Sequence, residues 1–482
     1  VNVRRIIACG LVGGALVAGA WFGCHGVQIR TMVQASIPPR PDLTGRPPVL
    51  NERIVRAEAK AESFFHAVAG LDELSRLYHA NGFFDEAIQC YDGLRRMQPH
   101  EARWPHLQAS LFSGLGRLDE ALPLEQRAVA LAPPYVPARL RLGDILLKSN
   151  RTDEAASIYA VVLVREPGNP YALLGLAKCD ATQRRWSQAR DHLQEAVRLH
   201  PDFVGALSML VTVAEHVGEQ AQAAALRERI GNREFKDMPD AWLDALLDDC
   251  YDAYQLSVAA ATAKLAGNTT LAKQLLERAT RLAPNTGSYH RQLGQLFSQI
   301  SDKASARQQL ERAVELSPQD SDAWLSLYQL LNNNDHGADT VAAGRVLTAG
   351  LSHCPQSYGL HLELARRLKT AGRLKEAIIE FGEAHRLQPS EAGPLIEKAR
   401  ALFAADRGSE ALVALHESLE KQPENPAVLA TLMFYYIGVG DENRALQWWE
   451  HVRRQARMPP HIVTTLRQTF QQKFGHAPPS PQ

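Results

Sequence analysis

The sequence predicts an all-α solenoid of about eleven helix pairs, and three regularities predict it. Alanine recurs at Ala87, Ala121, Ala155, Ala189, Ala223, Ala272, Ala306, Ala343, Ala377, Ala411 and Ala445, and eight of the ten steps are 34 residues, as from 87 to 121. Proline keeps the same frame twelve residues later, at Pro99, Pro133, Pro167, Pro201, Pro284, Pro318, Pro355, Pro389 and Pro423. A second alanine often stands seven after the first, as at Ala128, Ala196, Ala279, Ala313 and Ala384. Two residue types held in one register over so many periods mark a stack of equivalent structural units.

Composition narrows the function classes. The 482 residues are 45% hydrophobic and 22% charged, ordinary for a folded chain. Lys+Arg equals Asp+Glu at 53 each, so bulk charge gives no reason to propose a nucleic-acid partner. Cys9, Cys24, Cys90, Cys179, Cys250 and Cys354 include no CxxC or Cys/His spacing, which argues against zinc, haem or a redox pair. The last four read as small buried residues.

From the start of the chain, Arg4-Arg5 precede an uncharged run, Ile6 to Gly23. A basic start followed by an apolar run predicts export. Residues 1–24 are expected to be an apolar anchor helix or a signal peptide cut after Ala18-Gly19-Ala20, and lipid attachment at Cys24 is a third reading. Valine at position 1 has the look of a translated GTG start, which points to a bacterial source. The expected placement is a single-pass anchor in the inner membrane with the repeats in the periplasm, or release to the periplasm after cleavage. Residues 25–50 carry Pro38, Pro39, Pro41, Pro47 and Pro48 and read as a semi-rigid spacer.

A first array is expected over 51–232, opened by a capping helix from Asn51 to Ala69. Within a unit, Asp85 is expected to cap the second helix, with Asp119, Asp153, Ser187, Thr270 and Ser409 in the same place. Ala87 and Tyr91 share one face of it, the small residue admitting a neighbour and the large one filling the space beyond. Gly82, Gly116, Gly218, Gly267, Gly372 and Gly440 suit the turn before it. Proline then ends the unit. Residues 233–252 break the frame: Pro239 suits a helix start, and Trp242, Leu243, Leu246 and Leu247 form one apolar face. This inserted linker helix either packs on the solenoid or serves as a hinge or an acidic partner epitope. A second array with a capping helix is expected over 253–474, with Ile462, Leu466, Phe470 and Phe474 on the cap's inner face. A three-residue excess falls near Asn332–Gly337, and 475–482 reads as a disordered tail.

The units resemble the tetratricopeptide repeat, whose pattern is W-x2-L-G-x2-Y, A-x3-F, P. One late unit matches with Trp324, Leu327, Ala343, Leu347 and Pro355, and an early one with Leu71, Leu74, Tyr78, Ala87, Tyr91 and Pro99. Another has Leu142, Gly143, Leu146, Ala155, Tyr159 and Pro167, and the resemblance covers about residues 68 to 457. Phe235 and Arg457 stand where proline is expected.

The resemblance implies a right-handed α-α superhelix that binds proteins or peptides on a concave face lined by each unit's first helix. Candidate groove residues are then Arg291, Gln295, Gln329, Asn332 and Asn333; Arg141, Lys148, Tyr171 and Lys178; and Arg366, Lys369 and Arg400. Amides and guanidinium groups there suit an extended backbone or carboxylates; the alternative for each is a solvated polar helix face. The Lys-Asn-Asn-Lys-Arg clamp of the chaperone-binding subfamily is not found in this frame. Relatives with an N-terminal anchor organise envelope machines. The expectation is therefore a non-enzymatic scaffold in the bacterial envelope, or else an accessory subunit of an exopolysaccharide, secretion or outer-membrane assembly system, for which Tyr171 and Tyr254 are thin support. No GxSxG, HExxH or phosphate-loop motif occurs, so no enzyme and no cofactor is expected.

Overall fold

The computed structural model describes residues 27–479 except 232, 234, 236, 333–339, 423, 424 and 455–457. All regular structure among the described residues is helical. Two compact units divide between Pro284 and Asn285.

In the first unit, helix Pro48–Glu62 precedes five helix pairs. They are Ala67–Ala80 with Phe84–Met97, Arg103–Gly114 with Leu118–Leu131, Val136–Lys148 with Thr152–Arg165, Pro170–Thr182 with Trp186–Leu199, and Val204–His216 with Gln220–Ile230. The insertion follows as a short helix, Ala241–Asp244, and a 3-10 turn, Ala245–Asp249. A sixth pair, Ala253–Leu265 with Thr269–Leu282, completes the unit. The second unit holds Gly287–Gln299 with Lys303–Leu316, Ser321–Asn332 with Thr340–His353, and Tyr358–Thr370 with Leu374–Leu387. Gly393–Ala404 with Gly408–Lys421, Pro426–Val439 with Glu442–Arg454, and a last helix Pro460–Phe474 complete it. The three-residue excess near Asn332–Gly337 falls on residues 333–339, outside the described residues.

The alanine frame is a packing frame. All eleven alanines from Ala87 to Ala445 are fully buried, as are Ala128, Ala196, Ala279, Ala313 and Ala384. A methyl at that point lets backbones approach at core density. Larger side chains fill the next space: Tyr159 lies between Gly143 and Gly175, whose missing Cβ atoms would stand 2.6 Å and 2.4 Å from its ring. Its hydroxyl donates to Asp144 Oδ1 at 2.7 Å, fixing the ring in that slot. Five residues before ten of the eleven alanines the turn is left-handed, with φ between 57° and 83° at Gly82, Gly116, Asn150, Arg184, Gly218, Gly267, Ser301, Gly372, Asp406 and Gly440.

The capping expectation at Asp85, Asp119 and Asp153 is corrected. These aspartates lie inside the first helical turn, the cap positions are Phe83, Arg117 and Arg151, and none of the three helices has a side-chain cap bond. Ser187, Thr270 and Ser409 likewise lie inside helices that begin earlier. Acidic groups in the first turn still favour the helix N-terminus through its dipole. In several units an arginine at the cap pairs with a glutamate three residues on, as Arg117 with Glu120 and Arg407 with Glu410.

Both array ends are covered. Leu50, Ile54, Ala57 and Ala61 of the first helix are buried with Val33 from the preceding segment, in one cluster with Leu71, Leu74 and Tyr78. At the other end Leu466 and Phe470 are fully buried against Met433, Ile437 and Trp449. The Trp449 indole donates to the Pro479 carbonyl at 2.9 Å.

Among the described residues no helix is long and apolar enough to cross a membrane. The expected membrane-spanning N-terminal helix is corrected on that finding. With it go the anchored envelope protein, the single-pass inner-membrane placement and the membrane as a partner. The run Ile6–Gly23 that suggested them lies outside the described residues.

Candidate functional site

The insertion returns along the row of first helices in its own unit. Phe235 meets Phe203 at the fifth pair, with ring centroids 6.0 Å apart. At the fourth, the Tyr171 hydroxyl donates to the Asp237 carbonyl at 3.1 Å. Between the third and second, Asp240 accepts from Tyr135 Oη at 2.7 Å, Arg141 Nε at 2.8 Å and His106 Nε2 at 2.9 Å. Trp242 stacks on Tyr135 with centroids 3.7 Å apart. Leu246 is buried in the cluster of the first pair. There Asp249 accepts from Arg76 Nε at 2.8 Å and Arg53 at 3.1 Å, and its carbonyl accepts from Asn81 at 2.8 Å.

His106 is the centre of this seam. Its Nδ1 lies 2.7 Å from Glu125 Oε1, and the His106 and Glu125 side chains are 0% exposed and Asp240 1%. Burial would lower the imidazole pKa, but the hydrogen bonds to Asp240 and Glu125 outweigh it and push it up to about 9. Burial would raise the Asp240 carboxyl; the bonds from His106, Arg141 and Tyr135 hold it well below the usual carboxylate range instead. Burial raises Glu125, partly opposed by His106, and Glu125 Oε2 has no hydrogen-bond partner. The arrangement is an imidazolium between two carboxylates, costly to desolvate and worse to leave half paired. It fastens a segment; it offers no group to a substrate.

Of the expected groove residues in this unit, Arg141 and Tyr171 are therefore engaged by the chain itself. Lys148 is exposed and Lys178 half-buried. The sequence reading missed His106, Arg76, Arg53 and Tyr135. The repeat frame could have found two of them: His106 stands fifteen before Ala121 as Arg291 does before Ala306, and Arg76 stands eleven before Ala87 as Arg400 does before Ala411.

In the second unit, Arg291 Nε donates to Asp320 at 2.8 Å and Gln295 to Ser326 Oγ at 2.8 Å. Gln329 and Asn332 are exposed, and Asn333 lies outside the described residues. Arg366 pairs with Glu363 at 2.7 Å, while Lys369 at 2.6 Å and Arg400 at 3.0 Å share Glu397. Burial would raise the Glu397 carboxyl; the bond from Lys369 and the charges of Lys369 and Arg400 hold it below its ordinary value. Arg400 also reaches Thr431 Oγ1 at 3.3 Å. Beside it lies a cavity of about 670 Å³ lined by Arg400, Phe403, Thr431, Phe434 and Tyr435, with Phe403 and Tyr435 stacked at 4.1 Å.

Two family models, both described as tetratricopeptide repeat, match residues 114–179 and 153–213, and 73–136 and 259–327. Together the matches cover residues 73–213 and 259–327, and those stretches are similar to the tetratricopeptide repeat. Among the described residues, no group of three or more His, Cys, Asp or Glu side chains is placed to hold a metal ion.

DnaJ homolog subfamily C member 3 of Mus musculus is 28% identical over 158 residues, 32% of this chain and 30% of that protein. The matching stretch of this chain thus spans under a third of that relative's length. Cellulose synthase 1 operon protein C of Komagataeibacter xylinus is 30% identical over 107 residues, 21% of this chain and 8% of that one. Among solved structures, yeast Tom70 has a TM-score of 0.35 at 13% identity, covering 84% of this chain and 96% of its own. Pseudomonas aeruginosa pilF has a TM-score of 0.37 at 14% identity, covering 45% and 96%.

Proposed function

We propose that this chain is a non-enzymatic tetratricopeptide-repeat scaffold that receives a protein partner on the inner face of its second unit, along helices Tyr358–Thr370, Gly393–Ala404 and Pro426–Val439. The supporting observation is a contrast between the two units. In the first, the insertion covers the inner face; in the second, Gln329, Asn332 and Arg366 are exposed, and exposed Arg400 and Phe434 line an aromatic cavity. Arg366, Lys369 and Arg400 would hydrogen-bond an extended segment or its carboxylates, and the cavity would take an apolar side chain. Arg291, Gln295, Gln329 and Asn332 continue the row on the unit's earlier pairs. Of the two tyrosines that would favour polymer contact, Tyr171 has its hydroxyl bonded to the Asp237 carbonyl, which leaves the exposed Tyr254 alone.

Photo-crosslinking tests this reading. A photoreactive residue at Gln329 or Phe434 is expected to give one defined adduct, lost with Arg366→Glu plus Arg400→Glu. The same adduct from the exposed second-helix positions Ile379 or Val413, or its survival in the charge-reversed chain, would refute it.

A further inference from the structure

We propose that residues 235–252 are a built-in ligand. The first unit's inner face is a binding site for an extended, acidic, tryptophan-bearing segment. The insertion keeps that site closed in cis, and a segment of the same chemistry in trans can take its place.

Three observations carry this. The first is the path. From Phe203 to Arg76 the contacts run through five consecutive pairs, in reverse chain order. A peptide laid across a row of helices behaves this way; a connector between adjacent pairs does not need to. The second is charge. The segment from 235 to 252 has six aspartates and one lysine, and the wall facing it presents Arg53, Arg76, Arg141 and His106. Aspartates at both ends are gripped by paired donors, and an indole stacks between them. The third is one-sided packing. The opposite face borders a cavity of about 1140 Å³ lined by Leu243, Leu247, Leu271 and Leu275, bridged by Arg278 to the carbonyls of Leu247 and Cys250. A segment with an unfilled space behind it opens more readily than the helices it lies on. The buried alanines of the repeat frame belong to the helix pairs and keep their neighbours when it leaves.

Tethering gives the insertion an effective concentration in the millimolar range, so a free peptide competes poorly until the tethered one is weakened. The test uses the full chain and a fluorescein-labelled peptide with the sequence of residues 235–252, read by anisotropy. Asp240→Ala with Asp249→Ala removes the anchors of the tethered copy and leaves the wall intact. The peptide is expected to bind this variant at least about tenfold more tightly than the unaltered chain. Adding Arg76→Glu and Arg141→Glu should abolish the gain, as should asparagine at the two aspartate positions of the peptide. A folded double variant with no gain overturns the proposal. Hydrogen exchange on the unaltered chain decides independently of whether the variant folds. Amides of 241–249 must exchange faster than those of helices Arg103–Gly114 and Val136–Lys148; equal protection overturns the proposal as well.

Discussion

Replacing His106 by leucine would strand the Glu125 carboxylate and take one of three donors from Asp240. Glu125 makes its one hydrogen bond to His106 Nδ1, and its other oxygen has no partner. Asp240 would keep Tyr135 and Arg141. Removing one partner of a buried, hydrogen-bonded ion pair typically costs about 3–5 kcal/mol. Glu125 can escape part of this by protonating, so the lower end, about 3 kcal/mol, is expected at neutral pH. His106→Leu with Glu125→Leu removes the stranded group too, and replacing both partners with apolar groups is far less damaging. The double variant should therefore be more stable than the His106→Leu single. Urea unfolding followed by tryptophan fluorescence measures this, with Trp104 and Trp242 both in the first unit. Penalties that simply add, leaving the double variant less stable than either single, would show that His106 and Glu125 do not act as a pair.

The same seam sets a pH dependence. The folded His106 pKa, raised to about 9, exceeds the unfolded value of about 6.5. Its stabilisation is fully present below about 6.5 and is lost as pH rises through about 9. A urea midpoint that falls over that window, and flattens in the double leucine variant, is expected. On the acid side Asp240 has a depressed pKa, so its contribution is present above about 3.9 and lost as pH falls below that. Gly175→Ala places a methyl 2.4 Å from the Tyr159 ring, whose hydroxyl bond resists a swing; a loss of about 1–3 kcal/mol is expected in thermal unfolding. Arg184→Gly and Ser301→Gly relieve left-handed backbone at φ 59° and 64°, and each should gain up to about 1 kcal/mol by the same measurement.

Helix pairing was legible because it depends on local spacing: a methyl every 34 residues at Ala87 and Ala121, a proline twelve on. The ends of the second helices were less legible, since the frame marks Ala87 but not the first turn, so Asp85 was assigned the role that Phe83 occupies. The apolar face of Trp242, Leu243, Leu246 and Leu247 could be read from its period. What it covers could not, because nothing local couples Asp240 to His106, 134 residues away. Arg141 and Tyr171 were reached through the repeat frame alone. Their partner was invisible for the same reason.

That separation has a consequence for synthesis. When His106 leaves the ribosome, the carboxylate of Asp240 that completes its site has not yet been made. At about 5–20 residues per second the 134 intervening residues take roughly 7–27 s. Over that interval the nascent first pairs carry an incomplete polar seam on their inner wall. A chain ending before residue 240 would keep that wound open for good, whatever the integrity of its helices.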